Sequence, residues 1–261
     1  MIFAPKKQRA PLHFRRIELK YILPDSIVPI FVRKILPYTQ PDPFLVEERK
    51  GRRSYPVSSL YFDSIDLHSI YEKEAGLLSR RKVRLRTYAE DFSDYECSFL
   101  EIKRRHDFIV SKDRLSISVN FIKEDIWMPH LLSTLLKRIE ADEDVTHEAH
   151  VLHNWYNLQP TTLVRYHRTP FVGMQDRRFR ITIDSDLNAV WKPMSLKDSL
   201  LFTSCNPGFS VLEIKSNHAL PAWFHDILQD FQLSRIAHSK YAICTRILRD
   251  NLCCEGNMPY T

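Results

Sequence analysis

Arg80, Lys82, Arg84 and Arg86 occupy every second position of the run Arg80-Arg81-Lys82-Val83-Arg84-Leu85-Arg86-Thr87-Tyr88. A β-strand sends successive side chains to opposite faces, so these four cations share one face while Val83, Leu85 and Thr87 share the other. Such a face must meet water or a dense anion, because burying an unpaired charge costs on the order of several kcal/mol. The pattern recurs. Glu101, Lys103 and Arg105 alternate with Ile102 and Arg104, and Glu213 and Lys215 alternate with Leu212 and Ile214. Arg16, Glu18 and Lys20 alternate with Ile17 and Leu19, and Arg178, Arg180, Thr182 and Asp184 with Phe179, Ile181 and Ile183. Arginine forks and lysine ammoniums with an occasional carboxylate suit phosphate binding, where charge neutralisation and positioning supply most of the chemistry of phosphoryl transfer.

Five strands with one charged and one apolar face need an architecture that covers the apolar sides. A closed antiparallel barrel with a charged interior and helices packed outside satisfies all five, and so does a flat sheet with one wet face. The order of the elements is α+β. A strand over Arg16 to Leu23 precedes a short helix to about Leu36, ended by the prolines at 37 and 43. A strand over Ser54 to Asp63 and a helix over Asp66 to Glu74 lead into three strands near 79–90, 95–106 and 108–119. Helical periodicity covers about 121–138 and 143–156, strands return near 161–171, 177–190 and 208–216, and helices start at Pro221 and Ser239.

The chain has 261 residues and 44% hydrophobic content, enough for one sizeable core. With 38 basic against 32 acidic residues the net charge is only +6, so the strand cations are a local concentration. Neither G-x-x-x-x-G-K-[ST] nor G-x-G-x-x-G occurs among only 5 glycines, which leaves phosphate recognition to side chains. The cysteines at 97, 205, 244, 253 and 254 lack metal-ligand spacing and read as reduced thiols of a cytoplasmic protein. No apolar run approaches the roughly 18 residues of a membrane span, and the first residues lack a signal-peptide core. Residues 1–13 read as a basic tail, 14–250 as one domain and 251–261 as a second tail.

The ordered set Glu18-Leu19-Lys20-Tyr21, Leu60-Tyr61-Phe62-Asp63, Lys82-Val83-Arg84-Leu85-Arg86, Leu100-Glu101-Ile102-Lys103, Arg165-Tyr166-His167-Arg168, Arg180-Ile181-Thr182-Ile183-Asp184, Leu212-Glu213-Ile214-Lys215 and Ser239-Lys240-Tyr241 resembles the VTC domain. That is the catalytic domain of polyphosphate polymerases within the triphosphate tunnel metalloenzymes. The resemblance runs from about residue 14 to 249 and implies a tunnel barrel that binds phosphate chains with a divalent metal, manganese or magnesium. It implies transfer of the terminal phosphoryl of ATP to phosphate or a growing polyphosphate chain. Lys20, Arg84, Arg86, Lys103, Lys112, Arg168 and Arg180 would bind phosphates, with Tyr166 beside Arg168, and Lys215, Ser239 and Lys240 at the substrate. Glu213 is the leading metal ligand, with Glu101 and Glu18 behind it as charge-balancing groups or ligands. Superfamily hydrolases open with Glu-x-Glu-x-Lys, and Arg16 here replaces the first Glu, which favours the VTC branch.

Other readings stay open. The same tunnel could hydrolyse tripolyphosphate or nucleoside triphosphates, or bind polyphosphate without catalysis. Nucleic acid is disfavoured because few exposed aromatics interleave the cations. The chain carries no span of its own, though a membrane-associated partner is compatible with the family. Ser239 suits an N-cap whose helix offers amides to phosphate, and His238 stands near a position that is Lys in much of the family, so charge there would vary with pH. His147, His150 and His153 drift around a helix rather than form a metal pair. Trp155, Trp191 and Trp223 read as packing residues, and Asp63 as a strand-end residue.

Overall fold

The computed structural model describes residues 17–47, 51–92, 97–107, 109–118, 128–139, 144–196, 202–217 and 219–255. The expected N-terminal tail, Arg16 and residues 256–261 lie outside them, as do the side chains of Cys97, Cys253 and Cys254. The strands are β1 (Ile17–Pro24), β2 (Thr39–Pro41), β3 (Tyr55–Asp63), β4 (Ser79–Thr87), β5 (Cys97–His106) and β6 (Ile109–Ser118). They continue with β7 (Gln159–Gly173), β8 (Arg180–Trp191), β9 (Thr203–Ser204) and β10 (Phe209–Ser216). The helices are α1 (Val28–Ile35), α2 (Pro43–Glu47), α3 (His68–Glu74), α4 (Leu131–Arg138), α5 (Asp144–Tyr156), α6 (Ala222–Asp230) and α7 (Lys240–Glu255). Short 3-10 turns at Asp25–Ile27 and Met128–His130 lead into α1 and α4, and residues 121–127 of the expected helix over 121–138 lie outside the described residues.

All ten strands join one antiparallel sheet in the order β1-β10-β8-β7-β3-β4-β5-β6, with β2 on β7 and β9 on β8. The expected hydrogen-bonded closure is not present among the described residues: no ladder joins β1 to β6. The sheet nevertheless curls. In a flat sheet β1 and β5 would stand about 29 Å apart at ~4.8 Å per strand, yet Glu18 Oε2 of β1 lies 3.5 Å from Lys103 Nζ of β5. Register shifts between Tyr61 and Phe62 in β3 and between Arg165 and His167 in β7 supply extra residues, the local bend and twist that such curvature needs.

The strand alternation settles which faces are covered. Leu60, Phe62, Val83, Leu85, Leu100, Ile102, Leu115 and Ile117 pack on α4 and α5 through Leu131, Leu132, Leu135, Leu136, Ala149 and Leu152. Tyr21, Leu23, Ile181, Ile183, Leu212 and Ile214 pack on Phe31 and Ile35 of α1 and Phe224 and Ile227 of α6. Burying a side chain of this size stabilises by about 1.5–3 kcal/mol, so two helical layers fix the outer faces and turn the charged faces inward.

The last helix departs from the expectation that all helices pack outside. Tyr241, Ala242, Cys244 and Leu248 of α7 share a cluster with Val57, Tyr61, Val164 and Tyr166, which lie on the charged side of β3 and β7. α7 therefore lies on the inner face. Tyr241 stacks on Tyr61 at 4.6 Å and donates to Asp63 Oδ2 at 2.6 Å. Asp63 Oδ1 accepts from the amides of Ser64 and Ser69 and from Ser69 Oγ, so this buried strand-end carboxylate anchors both α3 and α7. Trp191 and Trp223 pack against core clusters as expected, whereas Trp155 is 74% exposed on α5. Among the described residues no helix is long and apolar enough to cross a membrane.

Candidate functional site

The inner face gathers side chains from eight strands and one helix. Register pairs place Lys82 opposite Lys103, Lys103 opposite Lys112, Arg84 opposite Glu101, Arg168 opposite Asp184, Lys215 opposite Arg180 and Lys20 opposite Glu213. Directly opposed residues in a sheet share a face, and like charges there repel, so the Lys82–Lys103–Lys112 row is a destabilising element unless an anion meets it. Burial brings Lys82 and Lys103 each down to about 8, with Tyr61 holding up the first and Glu18 the second. Burial also lowers Lys215.

Several cations are locked by carboxylates at fixed positions. Arg84 donates from Nε to Glu101 Oε2 at 2.8 Å and from Nη1 to the Tyr61 hydroxyl at 3.1 Å, while Lys112 Nζ reaches Glu101 Oε1 at 2.8 Å. Arg86 donates to Ser59 Oγ at 2.9 Å. Glu101 is fully buried; burial opposes its charge, but Arg84, Arg86 and Lys112 outweigh it and hold the carboxyl well below the usual range. Burial would also raise the Tyr61 phenol, yet Arg84, Arg86 and Lys82 bring it down to about 8. Arg168 forms a bidentate pair with Asp184, both contacts at 2.7 Å, and Lys240 Nζ meets the same carboxylate at 2.6 Å. The Tyr166 ring takes Lys240 Nζ at 4.8 Å and the Arg168 guanidinium at 5.3 Å from its centroid.

At the start of α7, Ser239 acts as the expected N-cap: its Oγ accepts from the Ala242 amide at 3.4 Å and from Lys82 Nζ at 3.1 Å. Lys20 Nζ donates to the His238 carbonyl at 3.0 Å. Burial, with Lys240 and Lys20 nearby, pushes His238 down to about 3. The imidazole is therefore neutral through the physiological range, which corrects the expectation that charge there varies with pH. Arg180 stands at the rim, 43% exposed in its side chain, paired with Asp42.

Glu213 and Glu18 lie on the adjacent strands β10 and β1. Glu213 pairs with Lys215 and lies 3.9 Å from Lys20 Nζ; Glu18 lies 3.4 Å from Lys20 Nζ and 3.5 Å from Lys103 Nζ. Burial and Glu213 push the Glu18 carboxyl up, and Lys103, Lys20 and Lys215 more than offset them. Burial likewise opposes charge on Glu213, and Lys215, Lys20, Arg168 and Lys240 hold it well below the usual range. Two ionised carboxylates with hard oxygens fit a small divalent cation of the magnesium type, which takes one or two protein carboxylates and completes its shell with phosphate oxygens and water. A site made wholly by protein is not offered: no group of three His, Cys, Asp or Glu stands together among the described residues, the histidines of α5 included.

Residues 15–249 match the VTC domain family. The chain belongs to the VTC domain family. Over 267 aligned residues this VTC domain is 22% identical to vacuolar transporter chaperone complex subunit 4 of Trypanosoma brucei brucei, covering 88% of the chain and 34% of that protein. The VTC domain thus spans about a third of that relative's length. Among solved structures it is similar to a Hippeastrum protein described as an adenylyl cyclase candidate with a dominant triphosphatase activity. That likeness has 15% identity and a TM-score of 0.51 over 90% of this chain and 96% of that one. A candidate adenylate cyclase from Bacillus halodurans gives 12% identity and a TM-score of 0.48 over 86% of this chain and 93% of that one.

The geometry of this VTC domain adds residues that the sequence reading left out of the site. Lys82 shares the face of Arg84 and Arg86, and strict alternation carried the signal. Asp184, two residues on from Thr182 and four from Arg180, holds both Arg168 and Lys240. Asp42 carried no signal, since its partner Arg180 lies 138 positions away.

Proposed function

We propose that the inner face of this VTC domain is a phosphate-chain tunnel in which the terminal phosphoryl of ATP passes to phosphate or to a growing polyphosphate chain. The observation that carries this reading is the charge imbalance. Lys20, Lys82, Arg84, Arg86, Lys103, Lys112, Arg168, Lys215 and Lys240 outnumber the carboxylates of Glu18, Asp63, Glu101, Asp184 and Glu213 on this face among the described residues. A polyanion threading between β1 and β5 would supply the missing negative charge and complete a tunnel that the backbone ladders leave open.

An acceptor oxygen forms a bond to the γ-phosphorus as the bridge to the nucleoside diphosphate breaks, and charge spreads over the transferring oxygens. Arg84 and Arg168, fixed by Glu101 and Asp184, meet that charge without reorganising. Lys20, Arg86, Lys103, Lys112 and Arg180 hold the phosphates on either side. Lys215, Ser239 and Lys240 position the chain beside the first amides of α7. Glu213, with Glu18 beside it, would hold a divalent metal, manganese or magnesium, which would neutralise phosphate charge and orient the γ-phosphoryl. Glu101, with both oxygens engaged by Arg84 and Lys112, serves as a charge-balancing anchor. A cytoplasmic enzyme working beside a membrane-associated partner fits a relative named as a subunit of a vacuolar transporter chaperone complex.

Incubation with ATP and manganese, with products separated on a gel that resolves polyphosphate, tests this. Chains longer than three phosphates are expected. Free phosphate alone would assign the tunnel to hydrolysis, and unchanged ATP would leave a polyphosphate-binding module.

A further inference from the structure

Four aromatic rings cluster at the end of the charged face beyond Arg86, with Tyr55 buried among them. Phe44 packs edge-on to Tyr55 at 5.0 Å, Tyr55 to Tyr88 at 5.9 Å and Tyr88 to Phe99 at 5.9 Å, and the Arg114 guanidinium lies 4.8 Å over the Phe99 ring. Register fixes where they point. Phe99 opposes Arg86 and Tyr55 opposes Arg168, so both rings share the face that carries the phosphate-binding cations. Phe44, Tyr88 and Phe99 are half-buried, so parts of their surfaces remain accessible.

A chain made only of phosphate has no use for these rings. The face of an aromatic ring carries the negative part of its quadrupole and disfavours phosphate oxygens. A nucleoside does have a use for them, since a base can stack on a ring or on a guanidinium plane. The spacing fits as well. Phe99 stands two residues from Glu101 along β5, about 6.8 Å at ~3.4 Å per residue, so a ribose would bridge from phosphates beside Arg84 and Arg168 to a base beside Phe99.

We propose that Phe99 and Arg114, framed by Phe44, Tyr55 and Tyr88, form a nucleobase subsite that selects nucleoside triphosphate over bare tripolyphosphate at this end of the face. The proposal rests on the tunnel reading above. It makes this the entry side for the nucleotide and leaves the end at Lys82 and Ser239 to the phosphate chain.

Titrating ATP and tripolyphosphate separately into the full chain and into Phe99→Leu, both with magnesium, tests it. The ratio of the two affinities cancels any loss common to both ligands, including partial unfolding. In Phe99→Leu the preference for ATP over tripolyphosphate is expected to fall at least about five-fold, the lower end of what a stacked base contributes. Saturation transfer from protein aromatic protons to the purine protons of ATP should appear in the parent chain and weaken in the variant. An unchanged ratio overturns the subsite and leaves the tunnel standing, as does equal loss of both ligands, which would make the ring structural. Failure of the parent chain to bind either ligand overturns the tunnel and the subsite with it.

Discussion

Glu18 Oε2 in the first strand lies 3.5 Å from Lys103 Nζ in the fifth, although six hydrogen-bonded steps of the sheet separate those strands. The contact brings two walls of the charged face together and sets the protonation of one of its lysines. Burial lowers Lys103 to about 8, and Glu18 is the largest influence holding it up.

Replacing Glu18 with Gln should let Lys103 fall further. The pH at which tripolyphosphate affinity declines should then move to a lower value than in the parent chain. Titrations across pH 7 to 9.5 read the midpoint; a midpoint that stays put or rises would break the link between Glu18 and Lys103.

Stability of the unliganded protein should change in the opposite sense to affinity. Lysine titrates near 10.4 and tyrosine near 10 in unfolded chains, whereas Lys82, Lys103 and Tyr61 are each brought to about 8 in the fold. Between those values the unfolded chain keeps protons that the fold has released, so these groups make stability rise with pH. Phosphate affinity falls over the same window as the lysines lose charge. Denaturant midpoints and ligand titrations at matched pH check both signs, and parallel trends would contradict the assignment.

Arg84 and Arg81 are three residues apart on opposite faces of β4. Arg84 meets Glu101 and Tyr61 inside, and Arg81 meets Glu148 outside at 3.4 Å. Arg84→Lys keeps a charge opposite Glu101 but loses the fork, and polyphosphate affinity should fall roughly ten-fold or more, in line with the ~1.5–3 kcal/mol of a charged hydrogen bond. Arg81→Ala should change it less than about two-fold, as expected for an exposed pair. Binding measured on variants with matched melting temperatures decides, and equal losses would mean that the face is misassigned.

Glu213→Gln keeps size and shape while removing one charge beside Lys215, Lys20 and Arg168. Metal-dependent turnover should collapse while polyphosphate binding persists or tightens. Retained turnover would move the metal to Glu18 or Glu101.

Much of the sheet was legible because alternation is a local signal. Leu212 and Ile214 against Glu213 and Lys215 reads directly as one buried and one charged face, and the same holds for Val83 and Leu85 against Arg84 and Arg86. The inward position of α7 was not legible, because Tyr241 and Cys244 look like ordinary apolar helix positions until Tyr61 and Asp63 are seen beneath them. Closure was over-read: the charge pattern demands that the faces meet, and Glu18 and Lys103 do so, without requiring a backbone ladder between edge strands. Partners remote in sequence, such as Asp42 for Arg180, leave no periodic trace.

If these cations act together on a polyanion, polyphosphate affinity must depend on salt. Displacement of counterions from the phosphate chain should make the logarithm of affinity fall steeply and linearly with the logarithm of salt concentration, as it does for other polyelectrolytes. The slope should shrink in Arg84→Ala, which removes an inner cation, and stay unchanged in Arg81→Ala, on the outer face. Affinity indifferent to salt from low to physiological ionic strength would contradict a polyanion tunnel.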